Sequence, residues 1–251
     1  LAHQAALLVK LGYLDAACGY IERALDVARA SRTHYGTSVA LILGAGVYLE
    51  RVELDRADAC IDEAINLCDK YGFLYWDARA RAVKGQIAIE QKRTDEGLSL
   101  LRQAMDEYER MGMRAEVPKW LSAMAKAFLY NGNFQHGLRC IRDAMELMST
   151  TGEFCWEAEL ALIKSQLLTA ADAPRGKVEN CLMQAIAVAH RQNARWHALQ
   201  ASMGLAELWQ HQGKGNEANQ LLVENYSWFT EGFSTARLKE AKALLDESPA
   251  Y

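Results

Sequence analysis

His136 and Cys140 lie four residues apart, a spacing that brings both side chains to one face of a helix. An imidazole and a thiolate together suit zinc, which takes four such ligands in a structural site. No second pair stands nearby to complete the shell. Cys140 also falls in a periodic apolar series and His136 borders a turn, so the pair reads as core and surface rather than as a metal site. His190 and His197 flank a loop with no cysteine beside them, and Cys60 and Cys68 are two helical turns apart, too far to bridge. Gly213-Lys214-Gly215 lacks both the spacing and the hydroxyl residue of a phosphate-binding loop. No Ser, His and Asp arrangement stands out. The chain is expected to be no enzyme, to hold no cofactor and to bind no metal.

The elements that must carry these residues announce themselves by repetition. Ala24, Ala64, Ala104 and Ala144 are each forty apart; Ala185 arrives one residue late, and Asn225 follows forty after it. Three places earlier stands a large apolar residue: Ile21, Ile61, Leu101, Ile141, Leu182 and Leu222. Seven places before the alanine comes a small or slim one: Ala17, Ala57, Gly97, Gly137, Val178 and Ala218. A fixed period of this size marks one supersecondary unit copied and stacked. Within a copy the apolar residues recur at three and four, as in Leu98, Leu101, Ala104, Met105 and Tyr108, so each unit is a pair of amphipathic helices. In the third copy the helices are expected over about 76–91 and 95–111. Gly72, Gly112, Gly152 and, after the slip, Asn193 are placed to adopt the left-handed conformation past the second helix, whereas Arg32 suggests a different cap in the first unit. Gly85, Ala45, Ala125 and Ala206 on the first helices are expected to face the alanines of the second. Trp76, Trp156 and Trp196 are expected to pack between successive units.

The predicted fold is all-α: a right-handed α-solenoid with a period of about 40 residues, and residues 1–228 forming six repeats, the first of them truncated. Residues 229–251 would form an aromatic turn, a capping helix and a tail, with Ser234 or Thr235 as N-cap and Leu238, Ala241, Leu244 and Leu245 covering the last face. Leu1 is not an initiator methionine and the chain opens within a helical pattern, so a fragment with further helices upstream and an uncapped N-terminal face is expected, with the oligomeric state left open.

Composition narrows the partners. Apolar residues at 51% and charged residues at 24% exclude wholesale disorder. A net charge of −4 with scattered Lys and Arg gives no nucleic-acid footprint, and no run of eighteen apolar residues exists to span a membrane. Cys60, Cys140 and Cys181 each directly precede the large apolar residue of their repeat, the place of a small hydrophobe rather than a disulfide, which suits a cytoplasmic protein.

The small contact residues resemble the tetratricopeptide repeat, with Gly12-Tyr13-Leu14-Asp15-Ala16-Ala17 and Gly132-Asn133-Phe134-Gln135-His136-Gly137 as its turn and following small residue. The period departs from thirty-four and approaches that of HEAT repeats, and the proline that ends the second helix is absent. Small contacts on both helices favour the tetratricopeptide type. The ending Trp228-Phe229-Thr230-Glu231-Gly232-Phe233, continued by Ser234-Thr235-Ala236-Arg237-Leu238-Lys239-Glu240-Ala241, resembles the C-terminal tetratricopeptide region of bacterial multidomain signalling ATPases. Glu96-Gly97-Leu98-Ser99-Leu100-Leu101, Trp156-Glu157-Ala158-Glu159-Leu160 and Leu208-Trp209-Gln210-His211-Gln212-Gly213 share the likeness, which covers roughly residues 36 to 247. In that family a nucleotide cyclase or a winged-helix domain precedes an NTPase and then the repeats. The resemblance therefore implies a regulatory module of a larger protein, whose catalytic parts this chain does not carry.

Tetratricopeptide geometry projects two rows onto the concave wall: Gly46, Gln86, Lys126, Gln166 and Glu207, and Val39, Arg79, Lys119, Glu159 and Gln200. They read either as a solvated face or as a groove for an extended peptide or partner helix with charges of both signs. The expected partner is a protein or peptide, including the upstream NTPase or output domain of the same chain. The alternative is a small-molecule inducer inside the superhelix, as in maltose-regulator-like activators.

Overall fold

A computed structural model describes residues 1–247; the tail beyond, with Pro249, lies outside the described residues. Among those residues there are thirteen α-helices, one 3-10 turn at Phe154–Trp156 and no strand. The helices are α1 (Ala2–Leu11), α2 (Leu14–Ala30), α3 (His34–Glu50), α4 (Leu54–Tyr71), α5 (Leu74–Glu90), α6 (Thr94–Arg110) and α7 (Val117–Tyr130). Then follow α8 (Phe134–Thr151), α9 (Glu157–Ala170), α10 (Arg175–Arg191), α11 (Arg195–Gln210), α12 (Gly215–Tyr226) and α13 (Ala236–Glu247). The chain is an all-α solenoid of tetratricopeptide-like helix pairs, α1/α2 through α11/α12, with α13 packed on α11 and α12.

The forty-residue grid is the core. Ile21, Ile61, Leu101, Ile141, Leu182 and Leu222 are all at most 4% exposed, and Ala64, Ala104 and Ala144 are sealed. The close approach within a pair falls elsewhere than expected. A Cβ added to Gly97 would stand 2.7 Å from the Gly85 carbonyl oxygen, and one added to Gly137 would stand 3.2 Å from that of Ala125. The small residues of the first helices therefore face the residue seven before the alanine. The reason is that two backbones crossing near the inter-helix turn come closest there.

Left-handed caps are more regular than the glycines suggested. Positive φ occurs at Gly72, Gly112, Gly152 and Asn193, and also at Arg32 (φ 50), so the first unit keeps the same turn without glycine. The inter-helix turn within each pair has its own series: Gly12, Val52, Lys92, Gly132, Asp172 and Gly213. At its α-helical C-termini this turn carries paired backbone bonds, such as Val52 N–H to Leu49 and Glu53 N–H to Tyr48 at 3.0 and 2.9 Å.

The first helices pack on one another in sequence, α1 on α3, α3 on α5, α5 on α7, α7 on α9 and α9 on α11. Then α11 packs on α1, so the inner layer closes on itself and the second helices lie outside it. The uncapped N-terminal face expected from sequence is thus covered. Glu231 accepts hydrogen bonds from the backbone N–H groups of Asp15 and Ala16, both at 2.9 Å, and Asp15 accepts one from the Gly232 N–H at 2.9 Å. Trp228 and Phe229 lie against Gly12, where an added Cβ would come within 2.9 and 2.8 Å of their rings. Gly12 therefore serves two demands, a φ of 92° and a close aromatic contact, that only glycine meets together. The aromatic turn caps the start of the array as well as its end. Thr235 does not show the expected cap: its hydroxyl donates to the Gly232 carbonyl at 2.7 Å.

Candidate functional site

Inside the closed layer lies a cavity of about 340 Å³, walled by residues of α1, α3, α5, α7 and α11 and by Trp156 and Glu159. A narrower cavity of about 100 Å³ adjoins it and shares Glu50, Gln86, Glu159 and His197. A third, of about 230 Å³, opens between α9, α11 and α13.

The structure places all eight candidate residues on these cavities. Arg79, Gln86, Lys119 and Glu159 line the central one, Lys126 and Gln200 the narrow one, and Gln166 and Glu207 the third. Gly46 faces the central space, and a Cβ added to it would meet nothing within 4 Å. Val39 departs from its row and packs against the hydrophobic core. The rows therefore do not form one open groove, because α1 occupies the concave face.

Two of the cations are already engaged. Arg79 is ion-paired with Glu116, and its guanidinium lies 4.6 Å from the centre of the Trp76 ring. Lys126 pairs with Glu90, whose other oxygen accepts from Tyr130 at 3.2 Å. Burial acts to depress the Lys126 ammonium pKa, but Glu90 and, behind it, Tyr130 and Glu50 act the other way, and the net shift is upward. Both pairs are wall-building, since removing one partner would strand a half-buried charge.

Others remain available. Lys119 and Glu159 have no ion-pair partner within 4 Å among the described residues; Lys119 sits 5.4 Å from the Trp156 ring centre. Lys10 of α1 lies 3.8 Å from the centre of that same ring and donates to the Cys155 carbonyl at 3.3 Å. Burial lowers the Lys10 pKa, with Glu159 pulling it partly back. Glu50 accepts from the Trp196 indole N–H at 3.2 Å, a bond between residues 146 positions apart that ties α3 to α11. His197 is 7% exposed and lines both the central and the narrow cavity; its Nδ1 is buried with no partner, as is the Nε of Arg79. Burial holds the His197 pKa down, which favours the neutral ring.

Sequence reasoning missed Lys10, Glu50, Trp156, Glu116 and His197, although each lies on the grid. Lys10, Glu50 and Glu90 repeat at forty, one helical turn beyond Ala6, Gly46 and Gln86. Counting the slip, Glu116, Trp156 and His197 share a phase, and Trp196 does not. Trp196 accordingly packs at 1% exposure, while Trp156 faces the cavity instead of sitting between units. Extending the two rows by one turn would have found four of them; Lys10 also requires continuing the first row back one unit to Ala6.

The remaining chemistry is sparse. His136 Nδ1 lies 2.5 Å from Asn133 Oδ1, Cys140 is buried, and no group of three His, Cys, Asp or Glu side chains among the described residues could hold a metal. No described helix is long and apolar enough to cross a membrane.

No protein-family model matches the chain, and no curated protein matches it. Solved structures do. The apo form of RapI superposes with a TM-score of 0.65 at 14% identity over 97% of this chain and 82% of that one. A signal transduction ATPase with numerous domains that carries a tetratricopeptide repeat sensor, from Pyrococcus horikoshii, gives 0.61 at 14% identity, over 97% of this chain and 38% of the ATPase. Yeast Tom70 gives 0.55 at 17% identity over 95% of this chain and 46% of Tom70. At these identities the likeness establishes the fold, a tetratricopeptide-type helical repeat.

Proposed function

We propose that this chain is a non-catalytic regulatory module that binds a ligand within its closed inner layer and passes the change to a larger signalling protein. The observation that carries this reading is convergence. Residues that do not repeat in type, among them Lys10, Arg79, Lys119 and Glu159, meet around one cavity, whereas the repeating residues fill the core. A cavity of about 340 Å³ lies in the range of small-molecule sites and is too confined for a partner helix about 10 Å across. Its dimensions favour the inducer-type reading over a threaded peptide; the protein partner is then the output domain to which the module answers.

Placement in a bacterial signalling ATPase rests on the ending from Trp228 to Ala241 and on the fold shared with a tetratricopeptide sensor of that kind. Division into repeats over 1–228 and a cap over 229–251, and a cytoplasmic setting for six unbridged cysteines, belong to the same proposal.

Gly46→Phe tests it, because the new side chain enters the cavity without a backbone clash. Thermal denaturation against a metabolite panel should show a ligand that raises the melting temperature of the native chain, by mass action. The same ligand should leave Gly46→Phe unmoved. A shift that persists in Gly46→Phe would refute binding in this cavity.

A further inference from the structure

The free charges of the central cavity come in both signs. Lys10 and Lys119 stand on α1 and α7; Glu50 stands on α3, and Glu159 on α9. All four line one cavity together with His197, and none of them forms a salt bridge within 4 Å among the described residues. These are half-buried charges of both signs without an ion-pair partner, and a ligand that enters the cavity can pair them through charge-assisted hydrogen bonds. An anion would satisfy the lysines and be repelled by the carboxylates; a cation would do the reverse. A molecule carrying both an ammonium and a carboxylate satisfies both sets at once.

Much of the rest of the wall is apolar: Leu7, Ile42, Leu43, Val83 and Trp120 line the same space. Two orphaned polar atoms, Nδ1 of His197 and Nε of Arg79, belong to residues on the same wall. We infer that the cavity takes a small amphoteric molecule with an apolar body, an α-amino acid or dipeptide with a large apolar side chain. Its carboxylate meets Lys10 and Lys119, its ammonium meets Glu159 and Glu50, and its side chain lies against the leucines and Trp120. This inference rests on the ligand-binding reading above and adds the ligand's chemical class.

Titration calorimetry of the whole chain with L-phenylalanine, L-leucine and the dipeptide Leu-Leu tests it. At least one should bind saturably, and comparison of the three separates an amino acid from a dipeptide. The half-charged analogues phenethylamine and 3-phenylpropanoate for phenylalanine, 3-methylbutylamine and 4-methylpentanoate for leucine or its dipeptide, should bind at least about tenfold more weakly. Lys119→Met and Glu159→Gln should each weaken binding by about tenfold or more. Because Lys119 has no ion-pair partner among the described residues, its substitution should not lower the melting temperature of the unliganded chain; Lys119→Gln replaces Lys119→Met if that variant does not fold. Binding of a singly charged analogue as tight as its parent, or indifference to both substitutions, overturns the ligand class. Failure of all three amphoteric probes also overturns it. If other metabolites still produce a shift that Gly46→Phe abolishes, only the class falls; if nothing binds, the cavity reading falls with it.

Discussion

Val52 shows how the fold constrains single residues. It sits at φ 63° in the inter-helix turn, on the grid that Gly12, Gly132 and Gly213 occupy in other units. A β-branched residue in the left-handed region costs about 1–2 kcal/mol, and the turn's backbone hydrogen bonds hold it there. Glycine removes that strain but loses more freedom on folding, about 0.5–1 kcal/mol. Val52→Gly should therefore stabilise the chain by about 0.5–1 kcal/mol, seen as a higher urea midpoint at unchanged slope. A lower midpoint would mean that contacts of the isopropyl group outweigh the strain. Such sites were half legible: glycine and asparagine announced the turns at 72, 112, 152 and 193. Val52, Lys92 and Asp172 adopt the same conformation without announcing it, because neighbouring hydrogen bonds impose it on whatever residue stands there.

Between elements, the decisive quantity is how closely two helix backbones approach. A methyl added at Gly97 would stand 2.5 Å from Ile89 Cγ1 and 2.7 Å from the Gly85 carbonyl oxygen. The oxygen is backbone and cannot swing aside, so α5 and α6 must separate, and Gly97→Ala should cost about 1–3 kcal/mol. Gly19, inside α2, meets nothing within 4 Å, and alanine there should instead gain up to about 1 kcal/mol from helix propensity. Thermal denaturation of both variants checks the pair; a rise in melting temperature for both would show that propensity, not crowding, governs these helices. Helix pairs, their core rows and their approximate ends were all readable, since α5 and α6 run 74–90 and 94–110 where 76–91 and 95–111 were expected. Which small residue faces which was not, because the period locates a contact only to within a helical turn.

At the scale of the molecule, closure of the inner layer is what turns a curved wall into a cavity, and it left no periodic trace. Its contacts join residues 145 to 217 positions apart, Lys10 with Cys155 and Gly232 with Asp15, each made once. A repeat signal reports what every unit shares, so contacts unique to the two ends stay hidden in it, and with them the role of α1 in the site. Closure has a compact lock. Glu231 caps the first two N–H groups of α2 that it reaches, Asp15 returns a bond to Gly232, and Arg51 holds Asp15 at 2.7 Å. These bonds are charge-assisted, and losing an acceptor shared by two donors costs about 1–3 kcal/mol. The burial of Phe229 and the tilted ring contact of Trp228 with Tyr13, centres 5.3 Å apart, remain to oppose opening. Glu231→Ala should therefore loosen rather than unfold the ring: faster amide exchange in α1 and the start of α2, and a larger radius of gyration in solution scattering, with α5 to α8 still protected. Glu231→Gln, which keeps one acceptor oxygen without the charge, should fall between. If Glu231→Ala leaves both exchange in α1 and the scattering radius unchanged, the aromatic packing alone holds the ring shut. In that case Gly12→Ala, which drives a methyl into Trp228 and Phe229, becomes the substitution that opens it.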